Sequence, residues 1–144
     1  MHLPLASWQF WAILSAVFAA LTALLAKVGV ANVNSDLATF VRTVVILAVI
    51  SLICMARGLF GAIGAISSRS LLFLILSGCA TGASWLCYFR AIKMGNVSQV
   101  APIDKLSVVM VAVLSVLFLG EKMSPVNWTG IVFVAVGVIL VGIR

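Results

Sequence analysis

Residues 100–119 read VAPIDKLSVVMVAVLSVLFL, a stretch long and apolar enough to cross a bilayer that still carries Asp104 and Lys105 immediately after Pro102. About 20 apolar residues in a helix span the hydrocarbon core. A charged group inside such a span costs on the order of 2.5–3.5 kcal/mol on insertion scales unless it is paired or faces water. The compensation is either a transport pathway or a buried structural pair, and the sequence leaves both open.

The rest of the chain puts this span in context. Of its 144 residues 65% are hydrophobic and 8% charged, with a formal net charge of +6, and the mean hydropathy is +1.33. A soluble domain of that length cannot hide so much apolar side chain, so the class is integral membrane protein, multi-pass, in a cell membrane with the lipid bilayer as its surroundings. The nine Lys and Arg are scattered singly. No basic stripe with interleaved aromatics appears, so no nucleic-acid partner is expected.

Cys54, Cys79 and Cys87 all fall in apolar segments, none in a CxxC, and the one histidine, His2, is near the terminus. They read as free core thiols; no disulfide, metal or cofactor is expected. The first apolar stretch exceeds the roughly 7–15 residues of a signal-peptide core and no Lys or Arg precedes it, so it is expected to remain as a span. Asn96–Val97–Ser98 matches a glycosylation sequon, a pattern too short to carry weight here.

Five segments are long and apolar enough to cross: Trp8–Ala26, Leu37–Met55, Ser70–Phe89, Val100–Leu119 and Val126–Ile143. The breaks between them hold turn chemistry. Gly29 precedes Asn32, Asn34, Ser35 and Asp36. The Arg57–Arg69 connection carries Gly58, Gly61 and Gly64 and is apolar enough to lie in the interface. Met94–Gly95–Asn96 forms the third break, and Gly120–Glu121–Lys122 the fourth, before Ser124–Pro125, a good N-cap and first-turn proline. No period-2 alternation is sustained, which argues against a barrel. The expected fold is an all-α membrane protein, one compact bundle of five transmembrane helices in a single domain over 1–144.

Each helix has a distinctive face. Ala12, Ala16, Ala19, Ala23 and Lys27 recur at helical spacing in the first span, a small-residue face expected to pack inward. Lys27 at its end either joins the bundle or snorkels to headgroups. Thr39 and Arg42 share a face in the second span, and Arg42, which cannot lose its proton, needs carboxylate, carbonyl or water. Gly78, Thr81, Gly82, Trp85 and Tyr88 form a stripe in the third span whose aromatic half fits a cavity wall or an interfacial belt. Asp104, Ser107, Val111 and Ser115 line one side of the fourth, as a solvated pathway or as helix–helix hydrogen bonding would. Pro102 frees a backbone carbonyl at that level. Gly130, Gly137 and Gly142 mark the last span as an assembly face.

Ends of successive spans alternate sides of the membrane. Lys27, Asp36, Arg42, Arg90, Lys93, Asp104, Lys105 and Arg144 therefore share one side, opposite Arg57, Arg69, Glu121 and Lys122. A net-positive mouth built from Lys27, Arg42, Arg90 and Lys105 around Asp104 would attract anions.

With these residues placed, the run from Tyr88 to Gly142 resembles the C-terminal part of an EamA domain of the drug/metabolite transporter superfamily. The matching pieces are Tyr88–Phe89–Arg90–Ala91, Val100–Ala101–Pro102, Phe118–Leu119–Gly120–Glu121 and the glycine-spaced last helix. Lys27–Val28–Gly29 and Phe40–Val41–Arg42 extend the likeness into the N-terminal half, so that it covers essentially the whole chain. Many members carry two such five-helix halves in inverted orientation; this chain has one, and its Val100–Ser107 run is similar to that of the short, single-domain bacterial and archaeal members. The mechanism of the small multidrug resistance branch, which uses a glutamate in the first helix, does not carry over, because the first span here has no acid.

The resemblance implies a secondary transporter, in the export direction, of a small metabolite or drug-like solute. The candidate substrate-binding residues are Arg42, Asp104, Lys105, Trp85, Tyr88, Lys27 and Arg90, with Gly130 and Gly137 for oligomer packing. A homo-oligomer is expected, because a single half lacks the repeat that completes a midplane site. An inverted homodimer and a single fixed orientation both remain open: with Arg42 and Lys105 set aside, four Lys and Arg on one side (Lys27, Arg90, Lys93, Arg144) face three on the other (Arg57, Arg69, Lys122). The competing class is a non-transporting subunit that stabilises or regulates a larger complex. No HExxH, GxSxG or paired carboxylates appear, so no catalytic residue and no enzyme is expected.

Overall fold

The computed structural model describes residues 7–143; His2 and Arg144, weighed above, lie outside them. Every regular element among the described residues is helical: α1 Trp8–Val30, α2 Ser35–Ala56, a 3-10 turn Leu59–Ala65, α3 Ser68–Met94, α4 Val97–Asp104, α5 Leu106–Leu114 with a π-helical end Ser115–Leu119, and α6 Pro125–Gly142. Five stretches are long and apolar enough to cross a membrane: α1, α2, α3, Val97–Leu119 and α6. The all-α, five-span membrane fold is thus the one found.

The chemistry at the helix ends explains where the chain turns. The Asn34 side chain accepts from the N–H groups of Asp36 (2.8 Å) and Leu37 (3.3 Å), satisfying two donors that α2 cannot satisfy itself. Asp36, in that first turn, adds negative charge where the helix dipole is positive. Gly58 adopts φ 65°, a left-handed stop that a side chain would resist, and the apolar 3-10 turn follows. Ser124 accepts from Asn127 N–H at 3.2 Å and Pro125 opens α6, as the sequence leads one to expect.

Three span boundaries move by three residues or more from expectation, the others by two at most, and one span is not a single helix. α1 runs on to Val30 and α3 to Met94, past Ala26 and Phe89. An apolar count stops at the first charges, whereas backbone hydrogen bonding continues through Arg90 and Lys93 as the helix leaves the hydrocarbon. The fourth span begins at Val97 rather than Val100 and is not one helix. Pro102 lacks the N–H that would bond to Ser98, and the chain tightens at Lys105, whose N–H reaches Pro102 O at 2.9 Å while its own carbonyl accepts from Val108 N–H at 2.9 Å.

The chain divides into two compact units, one of residues 25–93 and one of residues 1–24 with 94–144. In the first, burial concentrates at one end: Val30 at the close of α1, Ser35 and Thr39 in the opening turns of α2, and Phe89 and Ile92 near the close of α3. In the second, α6 packs on α4 and α5, with Ala112 and Val138 buried and Ile103 Cδ1 at 3.7 Å from where a Cβ on Gly142 would stand.

Most other apolar side chains, Phe73, Leu74, Phe118 and Phe133 among them, are exposed. Water would penalise such a surface, but lipid accepts it, each Leu, Ile, Phe or Val at a helix centre favouring insertion by about 0.3–0.6 kcal/mol. The small-residue face of α1 is a correction: only Ala23 is buried, while Ala12, Ala16 and Ala19 stay exposed in the single chain. A small-residue stripe permits close approach without supplying a neighbour. Among the described residues, Gly78, Gly82, Gly130 and Gly137 likewise have no neighbouring element within 4 Å of where a Cβ would stand.

Candidate functional site

Within residues 25–93 the charges expected on one side of the membrane do gather at one end of α1, α2 and α3. Lys27, half-buried, donates from Nζ to the Ile92 carbonyl at 2.7 Å, so it turns inward to the end of α3 rather than out to headgroups. An ammonium on a carbonyl in the last turn of a helix also meets the negative end of its dipole. Lys93 reciprocates, donating to Val33 O at 2.6 Å in the α1–α2 connection. Arg90 Nη2 meets Asp36 Oδ2 at 3.0 Å, across the first turn of α2. These three contacts tie the end of α3 to the α1–α2 corner.

Arg42 stands seven residues beyond Ser35, about 10 Å along α2 at 1.5 Å per residue. Its guanidinium carbon lies 4.6 Å from the centre of the Trp85 ring and 5.4 Å from that of Phe89. Trp85 and Phe89 are four residues apart on α3 and so present one face. Phe89 is 3% exposed, and its ring meets that of Tyr88 edge-on at 6.4 Å. Below Arg42, Thr39 turns its hydroxyl back to Ser35 O at 2.9 Å, and Thr43 does the same to Thr39 O at 2.8 Å. Neither hydroxyl is spent on the guanidinium. Among the described residues, Arg42 has no acid within ion-pairing distance.

In the other unit, Asp104 lies seven residues beyond Val97, at the break. Lys105 Nζ is 3.4 Å from Asp104 Oδ2, with the two side chains 55% and 37% exposed. The acid that engages Arg90 is therefore Asp36, and Asp104 is paired with its own neighbour. The two serines of the expected polar stripe bond to their own helix, Ser107 to Asp104 O at 2.8 Å and Ser115 to Ala112 O at 3.2 Å. They supply no hydrogen bond across helices. The span ends in a widened π turn closed by Gly120 at φ 68°. Such irregular backbone within a span is found where it is buried in protein or lines water.

Two participants escaped the reading of the sequence. Phe89 looks like one more apolar residue until its spacing from Trp85 is set against Arg42. Asp36 reads as a helix-start acid, although it shares a membrane side with Arg90. Of the residues singled out, Arg42 and Trp85 are brought together, as are Asp104 and Lys105, while Lys27 and Arg90 are engaged as braces.

Five spans, with charged side chains along two of them and one span broken, define a polytopic α-helical membrane protein. The chain belongs to the EamA-like transporter family, whose family model matches residues 6–143. A Sinorhizobium protein described as an "uncharacterized transporter in cobO 3'region" is 61% identical over 137 residues, covering 95% of this chain and 97% of that one. No solved structure matches the chain. The protein is a membrane transporter.

Proposed function

We propose that the protein is a secondary transporter exporting a small metabolite or drug-like solute, and that it works as a homo-oligomer. The observation that carries this is the interrupted fourth span, where the Asp104–Lys105 pair sits at a helix break inside an apolar segment. Discontinuous helices with freed backbone groups form the solute and coupling-ion sites of many secondary transporters. Asp104 and Lys105 are the residues of that span that contact solute or coupling ion. Outward flux is supported by the resemblance to drug/metabolite transporters.

The oligomer is supported by what the single chain leaves open. Among the described residues nothing stands within 4 Å of a Cβ at Gly130 or Gly137 of α6, and Ala12, Ala16 and Ala19 of α1 are exposed, though both faces are shaped for close helix approach. A second, inverted copy would add another five-helix half. Purified protein in liposomes loaded with metabolite pools tests transport, and a wild type that moves no solute counts against it. Gly137→Leu tests assembly: native mass spectrometry should show the oligomer shifted toward monomer with the fold intact. An unchanged mass distribution would remove this face from the interface. C-terminal reporter fusions active on opposite sides of the membrane, both giving strong signal, identify an inverted pair; signal on one side alone rules it out.

A further inference from the structure

Of the cations at the α1–α2–α3 end of residues 25–93, three have partners in the chain: Lys27 holds the Ile92 carbonyl, Lys93 the Val33 carbonyl and Arg90 the Asp36 carboxylate. Arg42, deeper along α2, has two aromatic rings instead, at 4.6 and 5.4 Å. Ring faces attract a guanidinium and fix its plane, but they do not use its N–H donors, which radiate along the edge. An arginine within a span is costly without a counter-charge, and the acid in the first turn of α2, Asp36, is already taken by Arg90.

The chemistry that completes Arg42 is a planar anion meeting the guanidinium edge with two parallel hydrogen bonds, as a carboxylate does. A single guanidinium fork without a counter-charge suits one negative charge. A dianion such as phosphate would call for a second cation beside Arg42, whereas Lys27 and Lys93, though still charged, are tied to backbone carbonyls at the helix ends and Arg90 is paired with Asp36. We propose that Arg42, held against Trp85 and Phe89, binds the carboxylate of a small monoanionic organic acid, the half-buried Trp85 giving its organic part an apolar flank. This assigns a substrate class to the transporter proposed above and rests on that reading.

The test uses the full chain in phosphatidylcholine nanodiscs, free of anionic headgroups, titrated with acetate, lactate and benzoate while tryptophan fluorescence is followed; benzylammonium and inorganic phosphate serve as comparators. At least one carboxylate should bind, with affinity tenfold or more lower for Arg42→Gln and intermediate for Arg42→Lys, which keeps the charge and loses the fork. Failure of all three carboxylates to bind the wild type would overturn the proposal. So would an Arg42→Gln protein of native elution and helicity that binds them as tightly, or a wild type that prefers benzylammonium or phosphate. If Arg42→Gln does not fold, Arg42→Lys decides alone, and unchanged affinity overturns it. Adding phosphatidylglycerol separates solute from lipid: a site that takes only the lipid and ignores free carboxylates also overturns it. Solute counterflow distinguishes this inference from the transporter reading. Arg42-dependent binding with no flux of any solute leaves the site standing and removes transport; flux of a cation insensitive to Arg42 does the reverse.

Discussion

The α2–α3 region and the α4–α5 region each place an ionised residue seven positions into a span, Arg42 beyond Ser35 and Asp104 beyond Val97, and treat it in opposite ways. Around Arg42 the helices are continuous and the cation is held by rings from a neighbouring helix. At Asp104 the helix itself breaks, and the acid is paired with the residue next to it along the chain. The first arrangement is fixed by tertiary packing and suits recognition. The second is fixed by a proline and local backbone geometry, which suits movement. A transporter needs both, and here they fall in different units of the chain.

Reversing the charge of Arg42 should have the largest effect. Arg42→Glu is expected to reduce solute flux in proteoliposomes at least hundredfold, since it removes the fork and sets an acid against two ring faces; flux near wild type would place the solute elsewhere. Pro102→Ala tests the other region. It restores the N–H that Ser98 can accept and lets α4 continue into α5, relieving a helix-interior proline worth about 3 kcal/mol. We expect a higher melting temperature together with flux lowered roughly tenfold, a magnitude of about 1.4 kcal/mol in the barrier. A variant that is both more stable and equally fast would show the break to be incidental.

Smaller effects sharpen the contrast further. Asn34→Ala removes the acceptor of two backbone donors and should cost about 1 kcal/mol of stability. Asn96, which stands before α4 without a side-chain capping bond, should be replaceable by alanine with less loss. Equal losses in denaturant titration would mean that the caps do not distinguish the two regions. The smallest effect is expected for Asp36→Asn. Its ion pair with Arg90 is largely exposed, 47% and 64% for the two side chains, so stability should fall slightly and flux should hold; a severe loss of either would make the pair more than a brace.

Much of this was legible in the sequence because it follows from composition and turn chemistry. Five apolar runs, the turn residues around Asn34, the serine cap at 124 and the proline at 102 each have a local physical cause. The same holds for the assignment of Lys27, Arg42, Arg90 and Lys93 to one side, which needs only the alternation of spans. What was not legible depends on where neighbouring helices lie. Phe89 carries no polar mark to separate it from lipid-facing phenylalanines, and Asp36 could not be matched to Arg90 before α2 and α3 were brought together. The π-helical end at Ser115–Leu119 has no glycine or proline inside it, so nothing local announces it. The small faces of α1 and α6 were readable as faces, but sequence does not say whether a helix of the same chain covers them.

The division between a solute-binding arginine and a bracing one is tested most directly by counterflow of the bound carboxylate in proteoliposomes carrying Arg42→Gln or Arg90→Gln, prepared in parallel at matched protein density. We expect Arg42→Gln to lose at least tenfold in rate and Arg90→Gln to remain within about twofold of wild type, the tenfold step corresponding to about 1.4 kcal/mol. Equal losses in the two variants, or a greater loss in Arg90→Gln, would contradict it.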